Sequence, residues 1–402
     1  MKILVLSPKP PWPPHDGGAV AIMKGVEGLA SGGAQVSLLA MKTEKHGDRK
    51  ISAQRTHEPL IYYETVPVNT RIKPLRIAGN LLFSNRPYDL ARFRSERYSE
   101  ALQRLIPEGG FDIIQCEGPL FTYYLDEIKK LTSAPVVLRA HNIEHHIREM
   151  TAQNTAGILS KAYLSNLARR IARLETEAAQ LFDAVIPISK PDMQWFSSVR
   201  RIKPLFLMET GADDAHYVSE PEEGSLKIGF IGALNWKPNL DGIRWFLKEV
   251  WPCVAMKFPD VTLHIAGRGA PKAAHHWLSG ERVTYEGEVD DARVFMASVN
   301  VVIAPLFAGS GLRIKIIEAM SIGRTVVATP VAVNGIPAED RRELFIAADA
   351  MAFCSAMTEA LGKREMRRAT GEAAVKLVRE RYDNRANTAQ LIEFYKELTH
   401  GC

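Results

Sequence analysis

The chain has 402 residues, 46% of them hydrophobic and 24% charged. That excludes extended disorder and exceeds one ordinary core, so two domains are expected. A formal net charge of +5, evenly spread, is too small for a nucleic-acid binder, and no stretch reaches the roughly 18 apolar residues of a membrane span.

The first apolar run, Ile3 to Leu6, is broken at once by the prolines from Pro8 to Pro14. It is too short for a signal peptide and reads as a first strand. Further apolar runs follow at 36–39, 113–114, 136–138 and 184–188, with a long amphipathic stretch at 159–181. Buried runs alternating with helices are the pattern of a parallel sheet covered on both faces. Around Ser219 to Ser225 the composition turns polar and acidic, which reads as a linker. The pattern then restarts, with strands at 226–232, 261–266, 283–285, 299–305, 325–328 and 344–346. The expected organisation is a domain over 1–215, a linker over 216–225, a second domain over 226–383, and an amphipathic C-terminal helix over 384–402 packing back on the first domain. The fold class is α/β, with two Rossmann-like doubly wound domains facing each other across a cleft. Ligands in such sheets bind beyond the carboxyl ends of the strands. Cys116, Cys253, Cys354 and Cys402 lie far apart, suggest neither a disulfide framework nor a metal pair, and suit a reducing compartment.

The most informative stretch is VVIAPLFAGSGLRIKIIEAMSIGRTVVAT, 301–329. A buried strand ends at Pro305, the loop Gly309-Ser310-Gly311 follows, and a helix is expected from there to about Ile322. A glycine loop opening a helix offers unpaired N–H groups at the positive end of the helix dipole, which is an anion site. Arg313 and Lys315 are misplaced for the helix itself, because cations at an N-terminus oppose the dipole. A bound anion resolves that conflict. Gly311, Lys315, Glu318 and Ile322 fall on one helical stripe, with Glu318 about 10 Å from Gly311 along the axis. That spacing suits a diphosphate at the tip and ribose hydroxyls further down. Ile314, Ile317 and Ser321 form a neighbouring stripe facing the core. The bland alternative is an amphipathic helix with a Lys315–Glu318 surface pair. GxGxxG and GxxxxGK[ST] are both absent, which argues against a dinucleotide oxidoreductase and a P-loop ATPase.

The segment GSGLRIKIIEAMSIGRTVVAT resembles the donor-site signature of retaining glycosyltransferases of family 4, which have the GT-B fold. Other stretches agree in the family's order: Gly17-Gly18, RAHNIEH at 139–145, IPISK at 186–190, GFIGALNWKPN at 229–239, LHIAGRG at 263–269 and YEGEVDD at 285–291. The resemblance implies transfer of a sugar from a nucleoside-diphosphate sugar, as co-substrate, to a glycan or lipid-linked acceptor with retention. It implies no resident cofactor and no required metal. The context it suggests is cytoplasmic polysaccharide or lipopolysaccharide assembly, with peripheral contact at the inner membrane face. It places His141 beside the transferred sugar and Gly17 and Gly18 near the donor phosphates. Lys237 and Asn235 reach the diphosphate, and backbone near Glu288 and Val289 reads the base. Ser310, Gly311 and Leu312 offer N–H groups to sugar and phosphate, and Glu318 holds the ribose. Two departures stand out. Ser310 replaces the first glutamate of the family's pair, and 232–236 contains no cation, so Arg313 and Lys315 supply that charge.

Three other features compete. His141-Asn142-Ile143-Glu144-His145 matches the H-x-x-E-H zinc-hydrolase pattern, but His141 directly follows a strand, and that chemistry needs both histidines on one helix face. The Ser310 replacement raises a catalytically impaired nucleotide-sugar-binding protein as an alternative. The segment 71–104 interleaves arginines with apolar residues and is either a solvated basic face or a contact for an anionic membrane or acceptor.

Overall fold

The apolar runs of the sequence become the central strands of two parallel sheets in a computed structural model. It describes residues 1–12, 16–44, 60–73, 77, 79–80, 83–153, 155, 157–199, 204–221, 226–309 and 312–400. The chain divides into two units, Met1–Thr210 with Asn384–Cys402, and Gly211–Asp383.

In the first unit the strands are β1 (Lys2–Ser7), β2 (Gln35–Lys42), β3 (Leu60–Pro67), β4 (Ile113–Glu117), β5 (Val136–Ala140) and β6 (Ala184–Pro187), in the order β3-β2-β1-β4-β5-β6. All of their pairings are parallel. Alternate residues of β1 enter different cores: Leu4 and Leu6 pack on one face, Ile3 and Val5 on the other. A strand buried on both sides must be apolar at every position, which is why β1 reads as an unbroken run. Strand β3 escaped the sequence reading. It lies at the sheet edge, and Tyr62 to Thr65 are only part-buried, so its apolar signal is diluted.

Helix α1 (Gly17–Ser31) crosses back after β1, and the C-terminal α13 (Asn384–His400) lies against it in the first unit. Close approach explains two glycines. A Cβ at Gly28 would sit 2.2 Å from Thr388 Oγ1, and one at Gly32 would sit 2.4 Å from Ile392 Cδ1. Leu391, Ile392 and Tyr395 complete the core shared with Val5, Ile22 and Val26.

The second unit repeats the architecture. Its strands are β7 (Lys227–Ile231), β8 (Thr262–Ala266), β9 (Val283–Gly287), β10 (Val301–Ala304), β11 (Thr325–Ala328) and β12 (Phe345–Ile346), in the order β12-β11-β10-β7-β8-β9. In each sheet the chain winds outward from its first strand in both directions. The reversal falls between β1 and β4, and between β7 and β10, where ligands of doubly wound sheets bind. Helices α8 (Trp251–Lys257) and α11 (Ala350–Gly362) share one core and bring Cys253 and Cys354 into a disulfide, with Cα atoms 6.3 Å apart. This corrects the reading that the cysteines form no pair: 101 residues of separation say nothing about which helices pack.

Substituting Gly28→Val forces a branched side chain into the 2.2 Å gap to buried Thr388. Overpacking of this kind costs about 1–3 kcal/mol. Thermal unfolding should show a lowered transition, and limited proteolysis should release the 384–400 segment sooner than in the parent chain.

Candidate donor site

Helix α10 (Ile314–Ser321) follows β10, and its first turn faces the reversal point of the second sheet. Ile314, Ile316, Ile317, Ala319, Met320 and Ser321 are buried, so the expected apolar stripe packs inward. The helix starts later than the sequence suggested. Arg313 is its cap, in a non-helical conformation (φ −85°, ψ 83°), so residue 311 precedes the helix and the proposed stripe begins at Lys315. The Arg313 guanidinium lies over the Trp236 ring, 5.6 Å from its centre. Gly309 has φ +117°, and a Cβ there would lie 2.5 Å from Arg313 Nη2. Ser310 and Gly311 lie outside the described residues. Leu312 is buried and Glu318 half-buried.

Lys315 does not lie along the surface. Its Nζ donates to the Ile231 carbonyl (3.2 Å) at the end of β7 and to Asn239 Oδ1 (3.1 Å), and sits 4.9 Å from the Phe230 ring centre. Asn239 is fixed in turn: its Nδ2 donates to the Ala233 carbonyl at 3.0 Å. It belongs to α7 (Lys237–Trp245), which approaches the β10 loop so closely that a Cβ at Gly242 would lie 2.0 Å from the Pro305 oxygen. The ammonium is thus held by neutral oxygens beside a second cation. Burial, and then the Arg313 charge, bring its pKa down to about 7, and burial brings Arg313 down to about 10. Two part-buried cations at the start of a helix are an arrangement able to receive an anion.

The other residues assigned to this half are more peripheral. Lys237 opens α7 but is exposed and pairs with Asp241 at 2.5 Å. Asn235 is exposed beside Gly269, and Glu288 is exposed just past β9, with Val289 half-buried. Sequence reasoning missed Trp236 and Asn239. An exposed tryptophan followed by Lys-Pro-Asn at a helix start was the available signal.

In the first unit, Gly17 and Gly18 open α1 behind the cap Asp16, whose Oδ1 accepts from the Ala19 N–H at 2.8 Å and also pairs with Lys9. A Cβ at Gly18 would lie 2.8 Å from Lys9 Nζ. His141 sits just past β5, and its Nε2 lies 2.5 Å from Glu117 Oε2 at the end of β4. Glu117 is fully buried. Burial raises its pKa, but the Arg139 charge and the His141 and Gln115 hydrogen bonds more than offset this and hold it below the usual carboxylate range. Burial pulls the His141 pKa down despite Glu117. Neither Glu117 nor Arg139 was picked out from sequence, although a charge inside each buried run, IIQCE and VVLRA, was legible.

The H-x-x-E-H residues do not converge on one helix face. His141 ends a strand and bonds Glu117, while His145 lies in α4 (Glu144–Gln153) with Nδ1 at 2.6 Å from Glu175. That carboxylate also accepts from the Glu144 and His145 N–H groups, so it caps the helix. Among the arginines of 71–104, Arg86 pairs with Glu177 and Arg104 with Glu64, while Arg92 donates to the carbonyls of Thr70 and Asp89. Arg76, Leu81 and Leu82 lie outside the described residues.

Residues 225–363, most of the unit just described, match the family model for glycosyl transferases group 1. Over those residues the second unit is similar to glycosyl transferases group 1. Over its whole length the chain has a GT-B fold. It aligns with sucrose-phosphate synthase from Thermosynechococcus elongatus at a TM-score of 0.76 and 16% identity, covering 100% of both chains. It aligns with HepE of Anabaena, crystallised with UDP-glucose, at a TM-score of 0.69 and 16% identity over 99% of this chain and 100% of that one. In sequence it is 23% identical to an uncharacterized 44.6 kDa protein in the cps region of Klebsiella pneumoniae, over 88% of this chain and 89% of that protein. It is also 31% identical, over 38% of its length and 42% of the other's, to a phosphatidyl-myo-inositol mannosyltransferase of Mycobacterium leprae.

The lowered Lys315 pKa fixes a pH dependence. An unfolded lysine, near 10.5, binds a proton that the folded one has lost above about 7, so the unfolded state holds more protons in between. Stability of the ligand-free chain should therefore rise with pH from 7 toward 10 and bear the full burial cost below 7. Lys315→Met removes this contribution. Melting temperatures measured from pH 6 to 9 should climb more steeply in the parent chain than in the variant.

Proposed function

We propose that this glycosyltransferase moves a sugar from a nucleoside-diphosphate sugar to a glycan or lipid-linked acceptor, with retention at the anomeric carbon, in polysaccharide or lipopolysaccharide assembly. The observation that carries the reading is the pair of part-buried cations, Arg313 over the Trp236 ring and Lys315 bonded to the Ile231 carbonyl and Asn239, at the reversal point of the second sheet. The partial burial of Lys315 is costly in the free protein, and a bound diphosphate would offset that cost. The deposit of negative charge on the leaving diphosphate is the electrostatic problem of this reaction, and prearranged cations solve it without reorganisation.

The remaining roles are those that the family resemblance implies. Glu318, one turn further along α10, takes the ribose diol, and the backbone at Glu288 and Val289 reads the base. Lys237 and Asn235 supply outer contacts to the diphosphate. His141, with Gly17 and Gly18, belongs to the half assigned to sugar and acceptor. Retention follows from attack on the face the diphosphate leaves, with the departing oxygens accepting the acceptor's proton as the new bond forms. No metal or resident cofactor is assigned a part. The HepE structures in complex with UDP and with UDP-glucose support a nucleotide-sugar donor, and the cps-region relative supports a polysaccharide setting.

A thermal-shift panel of UDP, GDP, ADP and TDP tests the donor assignment. A ligand at 100 times its dissociation constant stabilises by about 2.7 kcal/mol. One nucleotide should shift the parent chain, and Glu318→Ala should lose most of that shift. No shift from any of the four would overturn the reading.

We also propose that the acceptor side meets an anionic membrane through the segment 71–104. Phe83 is 88% and Ile72 64% exposed there, next to the cations Arg71 and Lys73. No described helix is long and apolar enough to cross a membrane. Flotation with vesicles containing phosphatidylglycerol at low salt should capture the chain, and Phe83→Ser should weaken capture several-fold. Equal recovery with neutral vesicles would count against the contact.

A further inference from the structure

The buried polar atoms behind His141 form a chain whose hydrogen-bond directions can be worked out one after another. Tyr395 of α13, Gln115 and Glu117 of β4 and Arg139 of β5 are all fully buried, so each polar contact among them must be a matched donor and acceptor. Glu117 is the anion of the group. Arg139 Nη1 lies 3.6 Å from its Oε1 and also donates to the Ala21 carbonyl at 3.1 Å. Space for that guanidinium exists only because α1 carries Gly25, where a Cβ would lie 2.3 Å from Nη1.

An ionised carboxylate only accepts. The Gln115 atom that meets Glu117 is therefore its NH2 group, which leaves the Gln115 oxygen facing Tyr395. The tyrosine hydroxyl, 2.6 Å from that oxygen, must donate to it. By the same logic the His141 nitrogen at 2.5 Å from Glu117 Oε2 must carry a proton. The other ring nitrogen, Nδ1, is buried and has no hydrogen-bond partner among the described residues.

We propose that this relay, Tyr395 to Gln115 to Glu117, holds His141 as the neutral Nε2–H tautomer, so that Nδ1 presents a lone pair to a ligand hydroxyl. The tautomer of a histidine is set by the bond its second nitrogen makes. Glu117 is thus a positioning residue. The C-terminal helix, although its Tyr395 never meets a ligand, fixes the chemistry of a residue at the strand ends. The identity of the hydroxyl rests on the proposed function, with a sugar or acceptor hydroxyl as the donor to Nδ1. The tautomer itself does not rest on it.

The test is long-range 1H–15N correlation on full-length chain carrying 15N-histidine, with His141 assigned by its loss in His141→Asn. The parent chain should show the neutral Nε2–H pattern from pH 6.5 to 8. Glu117→Gln should reverse it to Nδ1–H, because the new amide keeps its oxygen on Gln115 and turns its NH2 toward the ring. Glu117→Asp should restore Nε2–H, at least in part. Tyr395→Phe, which keeps the ring in the core, should give a mixture of tautomers. An Nδ1–H or doubly protonated ring in the parent chain overturns the proposal, as does an unchanged pattern in Glu117→Gln and Tyr395→Phe together. The nucleotide thermal shift provides the separate readout. If it fails while the tautomer stands, the proposed function falls alone; if it succeeds while the tautomer fails, only the relay falls.

Discussion

The second unit is organised around one unfavourable interaction, the confinement of Lys315 beside Arg313 at the end of a parallel sheet. Each cation is costly there for more than one reason. Burial strips its hydration, the neighbouring charge repels it, and the start of a helix presents partial positive charge. Nearby sequence choices serve this arrangement rather than relieve it. Gly242 lets α7 press on the β10 loop so that Asn239 can hold the ammonium, and Gly309 makes the turn that lays Arg313 over Trp236. A fold tuned for stability alone would place a leucine at 315. Retaining a destabilising cation makes sense where a multiply charged anion arrives and its attraction offsets these costs.

The first unit handles buried charge in the opposite manner. Glu117 is as deep as any residue in the protein, yet Arg139, Gln115 and His141 converge on it, so its charge is compensated within the protein. A buried ion pair adds little to stability and is better explained by what it orders. Here it orders an imidazole at the end of β5. Two sheets of the same winding thus carry different chemistry at equivalent edges, which illustrates that a fold supplies positions and side chains supply function.

Much of this was legible in the sequence. Unbroken apolar runs identified the strands, because a strand covered on both faces tolerates no polar alternation. The cations before and in the first turn of α10 were legible too, and the structure leaves Arg313 and Lys315 part-buried there. What escaped were facts of packing. The α10 start at Ile314 goes with an Arg313 placed over a tryptophan some 77 residues away in sequence, and the Cys253–Cys354 bond comes from two helices meeting in one core. The edge strand β3 lacked an apolar pattern because only part of it is buried. Pattern reading finds what is periodic along the chain and misses what is adjacent only in space.

The buried relay shows how such adjacency constrains chemistry. A histidine at a strand end has two neutral tautomers of similar energy, and exposed to water it would exchange between them. Its environment therefore decides the role, and the decision is made three groups away. Removing the Tyr395 hydroxyl leaves the Gln115 oxygen without its donor in a dry core, so the amide that donates to Glu117 loses the bond that fixes its position. The carboxylate is then less well held, and the ring it orients is freed. A helix that packs on α1 through Gly28 and Gly32 therefore contributes more than burial: its register along α1 determines whether the hydroxyl of residue 395 meets Gln115 at all.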